Sequence, residues 1–307
     1  MCEIYKLKAN GYIIEVVPSC GFNCISITNP KLFADVLRTP ESIDMLKGNH
    51  SFIFGTPILF FPNRIGGGKF EFEGRSYVFP INEPKLNNYI HGYLHKYPFE
   101  ITKHRENTIE GVFRSTSFNP YMGFMHEFDF YIEYKIGEDG VHQTVRVKNN
   151  SDKNMPFAAA FHTTFNLPFT KGGKAEDISV LINAKAIAER NGQNFLPTGR
   201  KIKKFDFKES LEKGEFKPFG KAVSYLFELE KKEVRLINSK ENVSVIYSFD
   251  EKYKYCMAFN GGANDFLCLE PQTWLTNCPN IENRFENGFL FIEPGKEICL
   301  ENVIRVE

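Results

Sequence analysis

The sequence predicts an all-β fold made of many antiparallel strands with a few short helices. Apolar and polar residues alternate over several segments, and turn-forming residues separate those segments. Aromatic residues make up 15% of the 307 residues, with 31 Phe and 13 Tyr, and these residue types favour strands. A chain of this size and composition can bury a large core without disulfides. We therefore expect a large sandwich of antiparallel strands.

Hairpin patterns recur along the chain. HEFDFYIEYKI, from His126 to Ile136, alternates strictly, and after the turn GEDG the segment VHQTVRVKN returns. KKEVRLINSKENVSVIYSF repeats this design around residues 239–242. KFEFEGRSYVF repeats it with a turn near Glu73 and Gly74, and GKEICLENVIRVE predicts one more strand.

Helix signals are few. The segment Asn29–Asn49 allows short helices with a stop at Pro40, and Lys208–Phe216 allows one or two turns. No repeat, low-complexity tract or linker rich in Pro, Gly and Ser divides the sequence. We expect one domain over residues 1–307.

Composition excludes some partners and indicates a compartment. Lys plus Arg and Asp plus Glu are both 38, so the net charge is zero and nothing favours nucleic acid. The seven cysteines are scattered and are expected to be free thiols in a reducing cytosol. No signal peptide is evident, and no window approaches the roughly 20 apolar residues of a membrane helix. We expect a cytoplasmic protein with no membrane partner.

One apolar segment carries an unexpected imidazole. MPFAAAFHTTFNLPF, from Met155 to Phe169, is predicted to be a buried strand, yet it contains His162. A buried imidazole needs polar partners. A core histidine bonded to a backbone carbonyl and a histidine in a ligand pocket both satisfy that need. Neighbouring Thr163, Thr164 and Asn166 alternate faces, so only some of them can share such a pocket.

Other histidines are weighed by their context. His91, followed by Gly92 in NNYIHGYLHKYPFEI, is expected in a loop that enters a strand. His95 lies four residues on, but no Cys or carboxylate stands at a matching spacing, so no metal site is predicted. The remaining histidines are expected at the surface: His50, His104, His126 and His142.

Two charged residues follow apolar strands. Glu270 in FLCLEPQTW is either a strand-end ion pair or a general base at a cleft, with Pro271 expected to end the pairing. Arg64 in FFPNRIGGGKF is either a surface residue of a hairpin turn or a donor to hydroxyls or a carboxylate. The three glycines lack the spacing of a phosphate loop.

Taken in order, PNRIGGGKF, YIHGY, FHTTFNLP, LEPQT and GFLFIEPGKE resemble the aldose 1-epimerase (galactose mutarotase-like) family, in its broad mutarotase-related branch. The resemblance runs nearly end to end. It implies a large antiparallel β-supersandwich with an open sugar-binding cleft, a small-molecule sugar substrate and no cofactor. It also implies interconversion of the α and β anomers of an aldose.

The resemblance assigns roles to matching residues. Glu270 is the implied base at the C1 hydroxyl, and His162 is the implied acid at the ring oxygen. Arg64 and His91 would hold hydroxyls and stabilise developing charge. Further expected hydroxyl ligands are Asn63, Gln272 and Asn166, and Trp274 is either a stacking platform or a core residue.

The sequence departs from the family pattern in two places. The best-known galactose enzymes carry an aspartate in a segment resembling DDVF, whereas VSYLFEL has Ser224 and Tyr225 there. In FHTTF, a threonine stands where an aromatic residue or proline is often found. The sugar is therefore open, as are the oligomeric state and the pathway.

Three alternatives stay open beside the epimerase. A hexose-6-phosphate 1-epimerase would need cations at the cleft rim, where Lys69, Arg75, Lys85 and Lys96 flank the motifs. A non-catalytic sugar-binding protein would keep the cleft and lose the acid or the base. A glycoside hydrolase needs paired carboxylates, and Glu293 in IEPG looks like a strand-end turn.

Overall fold

A computed structural model describes residues 3–48 and 50–307. Its strands are β1 Tyr5–Ala9, β2 Tyr12–Val17, β3 Asn23–Asn29, β4 Ala34–Asp35, β5 Ile58–Leu59, β6 Arg64–Gly66, β7 Lys69–Phe72, β8 Arg75–Val78, β9 Asn88–Ile90, β10 Glu100–Arg105, β11 Thr108–Ser115, β12 Phe128–Gly137, β13 Gly140–Asn149, β14 Met155–Phe157, β15 Ala160–Phe161, β16 Thr164–Asn166, β17 Ile178–Arg190, β18 Pro197–Ile202, β19 Ser224–Asn238, β20 Val243–Phe249, β21 Tyr255–Phe259, β22 Phe266–Gln272, β23 Leu290–Ile292 and β24 Glu297–Val306.

The strands form one large antiparallel sheet and several small ones, which confirms the all-β prediction. Fourteen strands make the large sheet, whose main order is β10-β11-β12-β13-β24-β20-β19-β21-β22-β15-β5. β16, β17 and β18 branch from this path. β1 to β4 form a four-stranded sheet, and the pairs β14–β23, β6–β9 and β7–β8 form two-stranded ones. The central strand β22 is paired on both edges, to β21 and to β15 with β16.

The predicted hairpins are confirmed. β12 and β13 close at the pair Gly137↔Gly140, and β19 and β20 close at Asn238↔Val243. β7 and β8 turn at Glu73 (φ 48°) and Gly74 (φ 72°), where the left-handed backbone suits glycine. β24 is the predicted C-terminal strand.

Helices are as short as the sequence predicts. Within the Asn29–Asn49 segment lie two 3₁₀ helices, Pro30–Leu32 and Ile43–Lys47, while Asn49 is outside the described residues. The other 3₁₀ turns are Ser51–Ile53, Pro84–Leu86, Leu94–Lys96, Ala175–Asp177 and Cys278–Asn280, and α1 is Lys208–Glu212. Over the described ranges, no helix has the length and apolarity to cross a membrane.

Aromatic side chains fill the core beneath the site. Phe60 packs against Phe61 with ring centroids 4.5 Å apart, and Phe61 stacks on Trp274 at 5.1 Å. Trp274 is fully buried, and its Nε1 donates to the Pro62 carbonyl at 2.9 Å. This places Trp274 in the core and not on a sugar face, and it fixes the backbone just before Asn63.

The predicted single strand over Met155–Phe169 is wrong in one respect, because it is broken into β14, β15 and β16. His162 falls in the gap between β15 and β16, and its N–H donates to Pro57 O at 2.9 Å.

The expectation that Pro271 ends the pairing is also wrong, since β22 continues to Gln272. Leu269 and Thr273 donate to residues 163 and 159. Pro271 has no N–H to donate and lies between them, opposite the gap.

The expected positions of the surface histidines and the expected state of the cysteines can also be compared with the structure. Buried His126 contacts Tyr77 Oη at 2.9 Å and Ser151 Oγ at 2.7 Å, so its predicted surface position is wrong. His50 and His104 are exposed, as predicted. The cysteines within the described ranges are free thiols, as expected, while Cys2 lies outside them.

Candidate active site

Most of the predicted site residues meet at one open cavity of about 480 Å³. They come from three parts of the fold: the β5–β6 connection, the end of β9, and the β15–β16 gap beside β22. The predicted residues that line the cavity are Asn63, Arg64, His91, His162 and Glu270. Segments far apart in the chain thus supply adjacent polar groups.

The implied acid and base are in direct contact. His162 Nε2 lies 3.2 Å from Glu270 Oε1, and the two side chains are 3% and 2% exposed. Glu270 is inside β22 with Met257 as its partner on β21, which holds its backbone rigidly. This contact lies on the Nε2 side of the imidazole. Its Nδ1 is buried with no hydrogen-bond partner among the described residues.

One amide, that of Gln272, holds the second carboxyl oxygen of Glu270 and is itself held by Asn63. Gln272 Nε2 donates to Glu270 Oε2 at 3.2 Å, and Asn63 Nδ2 donates to Gln272 Oε1 at 3.4 Å. Gln272 is fully buried behind the cavity wall. Its observed contacts therefore position Glu270, in place of the hydroxyl-binding role expected from the sequence.

Burial dominates the titration of this pair. It raises the pKa of Glu270 to about 8, against the opposing effects of the Gln272 hydrogen bond and the charges of Arg190 and Arg64. It lowers the pKa of His162 to about 3. The pair therefore holds one proton over a wide pH range around neutrality.

His91 has a strained backbone and a defined tautomer. Its φ is 61°, and its N–H donates to Asn63 O at 3.0 Å. The Asn63 N–H donates in return to His91 Nδ1 at 3.4 Å, which assigns the proton of a neutral imidazole to Nε2. Burial, reinforced by His162 and Arg64, holds the pKa of His91 well below its ordinary value. His91 thus presents an N–H donor, not a cation.

Phe52 packs on both histidines. Its ring centroid is 5.4 Å from that of His91 and 5.1 Å from that of His162, and the two imidazoles are 5.4 Å apart. An aromatic ring in this place excludes water from one side of the acid–base pair. Dry surroundings strengthen the electrostatic interactions of both imidazoles.

Arg64 is held by a carboxylate that the sequence did not single out. Its Nε and Nη2 donate to the two oxygens of Glu83 at 2.8 Å each, a bidentate pair. The side chains are 15% and 21% exposed, so the surface reading of Arg64 is wrong. Glu83 leaves Arg64 fixed in direction and electrically balanced.

Arg190 is the second residue that sequence reasoning missed. It is the last residue of β17, and its Nη2 donates to Ser224 O at 2.6 Å and to Ser224 Oγ at 3.0 Å. Arg190 and Ser224 both line the cavity. No local pattern distinguishes Arg190 from other strand-end arginines. Only the departure from the family pattern at Ser224 drew attention to this wall.

Asn166 does not reach the cavity, which corrects its predicted role. Its Nδ2 donates to Asp35 O at 2.9 Å and to Leu37 O at 2.8 Å. Asn166 is not among the residues that line the cavity, because its side-chain amide is bonded to the neighbouring segment. It joins β16 to residues 35–37.

One group of side chains within the described ranges has the spacing of metal ligands. The ligand atoms of His162, Cys268 and Glu270 lie within 4.8 Å of one another. Burial raises the pKa of the Cys268 thiol well above its ordinary value, so the group offers a neutral thiol and not a thiolate. Among the described residues, His91 and His95 belong to no group of three or more such ligand side chains, and the absence of a metal cofactor stays a prediction.

Comparison with known proteins supports the same family. The family model described as aldose 1-epimerase matches residues 3–305. A galactose mutarotase-like protein from Clostridium acetobutylicum is similar, with 29% identity, a TM-score of 0.94, and coverage of 100% of this chain and 95% of that one.

More distant structures share the fold. The GalM/aldose epimerase homologue from C. elegans has 18% identity and a TM-score of 0.79 over 100% of this chain and 99% of that chain. A galactose 1-epimerase from Lactobacillus acidophilus has 14% identity and a TM-score of 0.70 over 100% and 98%. The family-model match over nearly the whole length of the chain identifies it as a member of the aldose 1-epimerase family.

Proposed function

We propose that this protein is an isomerase that interconverts the α and β anomers of a free aldohexose by acid–base ring opening. The observation that carries the proposal is the 3.2 Å contact between His162 Nε2 and Glu270 Oε1 at the wall of an open cavity. The C1 hydroxyl and the ring oxygen are bonded to the same carbon. An acid and a base that lie side by side can therefore serve both oxygens.

The reaction moves two protons and returns them. Glu270 as carboxylate takes the proton of the C1 hydroxyl, and His162 as imidazolium gives its Nε2 proton to the ring oxygen as the C1–O5 bond breaks. The carbonyl rotates about the C1–C2 bond. Closure on the other face reverses both transfers. The pair ends as it began, so no cofactor is needed to balance the reaction.

The starting state needs only one proton on the pair. A neutral pair and a carboxylate–imidazolium pair hold the same number of protons and differ by one transfer across the contact. Burial favours the neutral arrangement of the pair. The charges of Arg64 and Arg190 favour the carboxylate and oppose that effect.

The remaining groups supply hydroxyl contacts. The His91 imidazole offers an Nε2–H donor, and Arg64 keeps one guanidinium nitrogen, Nη1, outside its Glu83 pair. Such donors stabilise the negative charge that develops on oxygen in the transition state. The side-chain amide of Asn63 already donates to Gln272, so we propose that Asn63 supports the position of Gln272 in addition to any hydroxyl contact.

Specific observations disfavour two alternative functions. The rim cations expected for a hexose-6-phosphate epimerase, Lys69, Arg75, Lys85 and Lys96, do not line this cavity. A binding protein has no need of an acid and a base in mutual contact, since the burial of both groups costs free energy. A cytoplasmic location stays a prediction.

Polarimetry tests the proposal. Freshly dissolved α-D-glucose and α-D-galactose are followed to anomeric equilibrium with wild type, Glu270→Gln and the exposed control Glu293→Gln. We expect acceleration by wild type and by the control, and a loss of about 10²- to 10⁴-fold in Glu270→Gln. Equal acceleration by Glu270→Gln would remove that residue from the mechanism. If the enzyme accelerates neither these sugars nor a hexuronate nor a hexose 6-phosphate, the proposed function fails.

A further inference from the structure

We propose that Arg190 makes the site selective for an aldose that carries a single negative charge away from C1, with a carboxylate as the charged group. A hexuronate is the simplest sugar of this class. The inference rests on the proposed function and specifies its substrate. It is carried by the unequal pairing of two arginines in one cavity.

The charge on Arg64 is neutralised, and the charge on Arg190 is not. Glu83 binds Arg64 through both carboxylate oxygens at 2.8 Å. Within the described residues, Arg190 has no carboxylate within the 4.0 Å that defines an ion pair, although Glu270 is near enough to influence it. One cationic side chain in the cavity wall thus has no anionic counterpart.

Arg190 is held in place without using all its donors. Nη2 is bonded to Ser224 O at 2.6 Å and to Ser224 Oγ at 3.0 Å. The guanidinium carbon is 6.0 Å from the centroid of Phe195, and that of Arg64 is 5.0 Å from the same ring. Nε and Nη1 have no protein acceptor in the part of the chain that is described. Those N–H groups are available to a ligand.

The surroundings of Arg190 favour an incoming anion. Burial and the charge of Arg64 both lower the pKa of Arg190, which means that both disfavour its positive charge. A neutral sugar can accept hydrogen bonds here but cannot offset the charge. A carboxylate does both, and charge-assisted hydrogen bonds are the stronger kind.

The charge in the cavity matches a monoanion better than a dianion. The charges of Arg64 and Glu83 cancel, and burial keeps His91 neutral. Glu270 and His162 share one proton. Arg190 therefore leaves a net charge of about +1 in the wall. A carboxylate balances it, whereas a phosphate monoester with about −1.5 to −2 leaves an excess.

The charged end and the reacting end of the sugar would contact different residues. Arg190 and Glu270 both line the cavity, and among the described residues they do not form an ion pair. A sugar with C1 at Glu270 would place its carboxylate at Arg190. Its charge then aids orientation without competing with the base.

Magnetisation exchange between the H1 resonances of the two anomers tests this at equilibrium, so pure anomers are not needed. The substrates are D-glucuronate with D-glucose, D-galacturonate with D-galactose, and D-glucose 6-phosphate. The proteins are wild type, Arg190→Gln, and Arg200→Gln as a matched control, since Arg200 is exposed on β18 outside the cavity. Titration of D-glucuronate into Glu270→Gln, with and without Arg190→Gln, measures binding apart from catalysis.

We expect wild type to have a higher kcat/KM for a uronate than for its neutral counterpart. Arg190→Gln should lower kcat/KM for the uronate about tenfold or more beyond its effect on the neutral sugar, mainly through KM. Arg200→Gln should leave the ratio unchanged. Equal losses on both sugars, or a wild type that does not distinguish them, would overturn the proposal.

Two further outcomes are decisive. Preference for glucose 6-phosphate over the uronates would overturn the assignment of a monoanion. Absence of exchange with every sugar, together with glucuronate binding that Arg190→Gln weakens about tenfold or more, would reject the proposed function and support the role of Arg190. Absence of both would reject both.

Discussion

Gln272 and Glu270 lie two residues apart on the same face of β22 and are joined by a hydrogen bond of 3.2 Å from Nε2 to Oε2. His162 contacts the other carboxyl oxygen, also at 3.2 Å. Each oxygen of the proposed base thus has its own protein partner. The orientation and the titration of Glu270 both depend on these two contacts.

The rate of anomer exchange should fall as the pH rises through about 8. The reacting pair needs one proton, which burial retains on Glu270 up to a pKa of about 8. Above that pH, Glu270 is a carboxylate and His162 is neutral, so the base is present and the acid is not. The fall should follow one deprotonation in a plot of kcat against pH. A rate that instead rises through pH 8 to a plateau would contradict the assignment of His162 as the acid.

Replacing Gln272 should shift the pH at which the rate falls, which is the alkaline limb of the pH profile. The Gln272 hydrogen bond lowers the pKa of Glu270, so Gln272→Leu should raise the pKa further and shift the limb to higher pH. The same variant should lower kcat more than it raises KM, because it releases one oxygen of the base.

The matched control is Gln143→Leu, which removes another buried amide. Gln143 is bonded to Thr56 and Tyr134 and not to Glu270. The Gln143→Leu variant should be less stable than wild type, but the alkaline limb of its pH profile should not move. A limb that stays in place in Gln272→Leu would limit Gln272 to packing.

Glu270 should cost the protein stability at alkaline pH. Its pKa is about 8 in the folded state against 4.5 in the unfolded state, so the folded state binds the proton more tightly. The stabilising contribution is complete below pH 4.5 and is lost as the pH rises through 8.

Glu270→Gln removes this dependence. The free energy of unfolding of Glu270→Gln minus that of wild type, measured by urea denaturation, should increase between pH 5 and pH 9. The expected increase is on the order of 2 kcal/mol or more. His162 contributes oppositely, since its lowered pKa reduces stability only toward acid pH. A difference between the two proteins that is independent of pH would show that Glu270 titrates normally.

Gly92→Ala should destabilise the loop that presents His91. Gly92 has φ 67°, and a Cβ there would meet the Phe60 carbonyl and lie 2.7 Å from Tyr121 Oη. Gly74 has φ 72° with nothing within 4 Å of the same position, so Gly74→Ala isolates the cost of the backbone conformation.

We expect Gly74→Ala to cost about 1 kcal/mol and Gly92→Ala about 2 kcal/mol more, measured by urea denaturation. Exchange activity should fall in Gly92→Ala alone. Equal losses of stability would mean that the close approach to Phe60 is absent.

Sequence patterns predicted the hairpins well because each is local. Alternation and a short turn are sufficient to define β12 with β13 or β7 with β8. The gap at His162 and the continuation of β22 through Pro271 were not predictable in this way. They depend on each other across the sheet, and neither segment encodes the partner alone.

The site was predictable where a motif carried it and not elsewhere. Arg64, His91, His162 and Glu270 stand in recognisable contexts, and the fold brings them to one cavity. Glu83 and Arg190 have ordinary neighbours in the sequence. Their roles arise from pairings across long stretches of chain, such as Arg64 with Glu83. The hydroxyl-binding role expected for Asn166 was wrong, because its amide is bonded to the carbonyls of residues 35 and 37, and its own segment does not encode that partner.

The regular pleat of β22 has a consequence for how this chain can change over evolution. Glu270 and Gln272 share one face because they are two residues apart. A point substitution on the other face leaves that relationship intact. Insertion or deletion of a single residue before Glu270 within Phe266–Gln272 would turn both side chains to the other face of the strand. We therefore expect this strand to accept changes of residue type far more readily than changes of length.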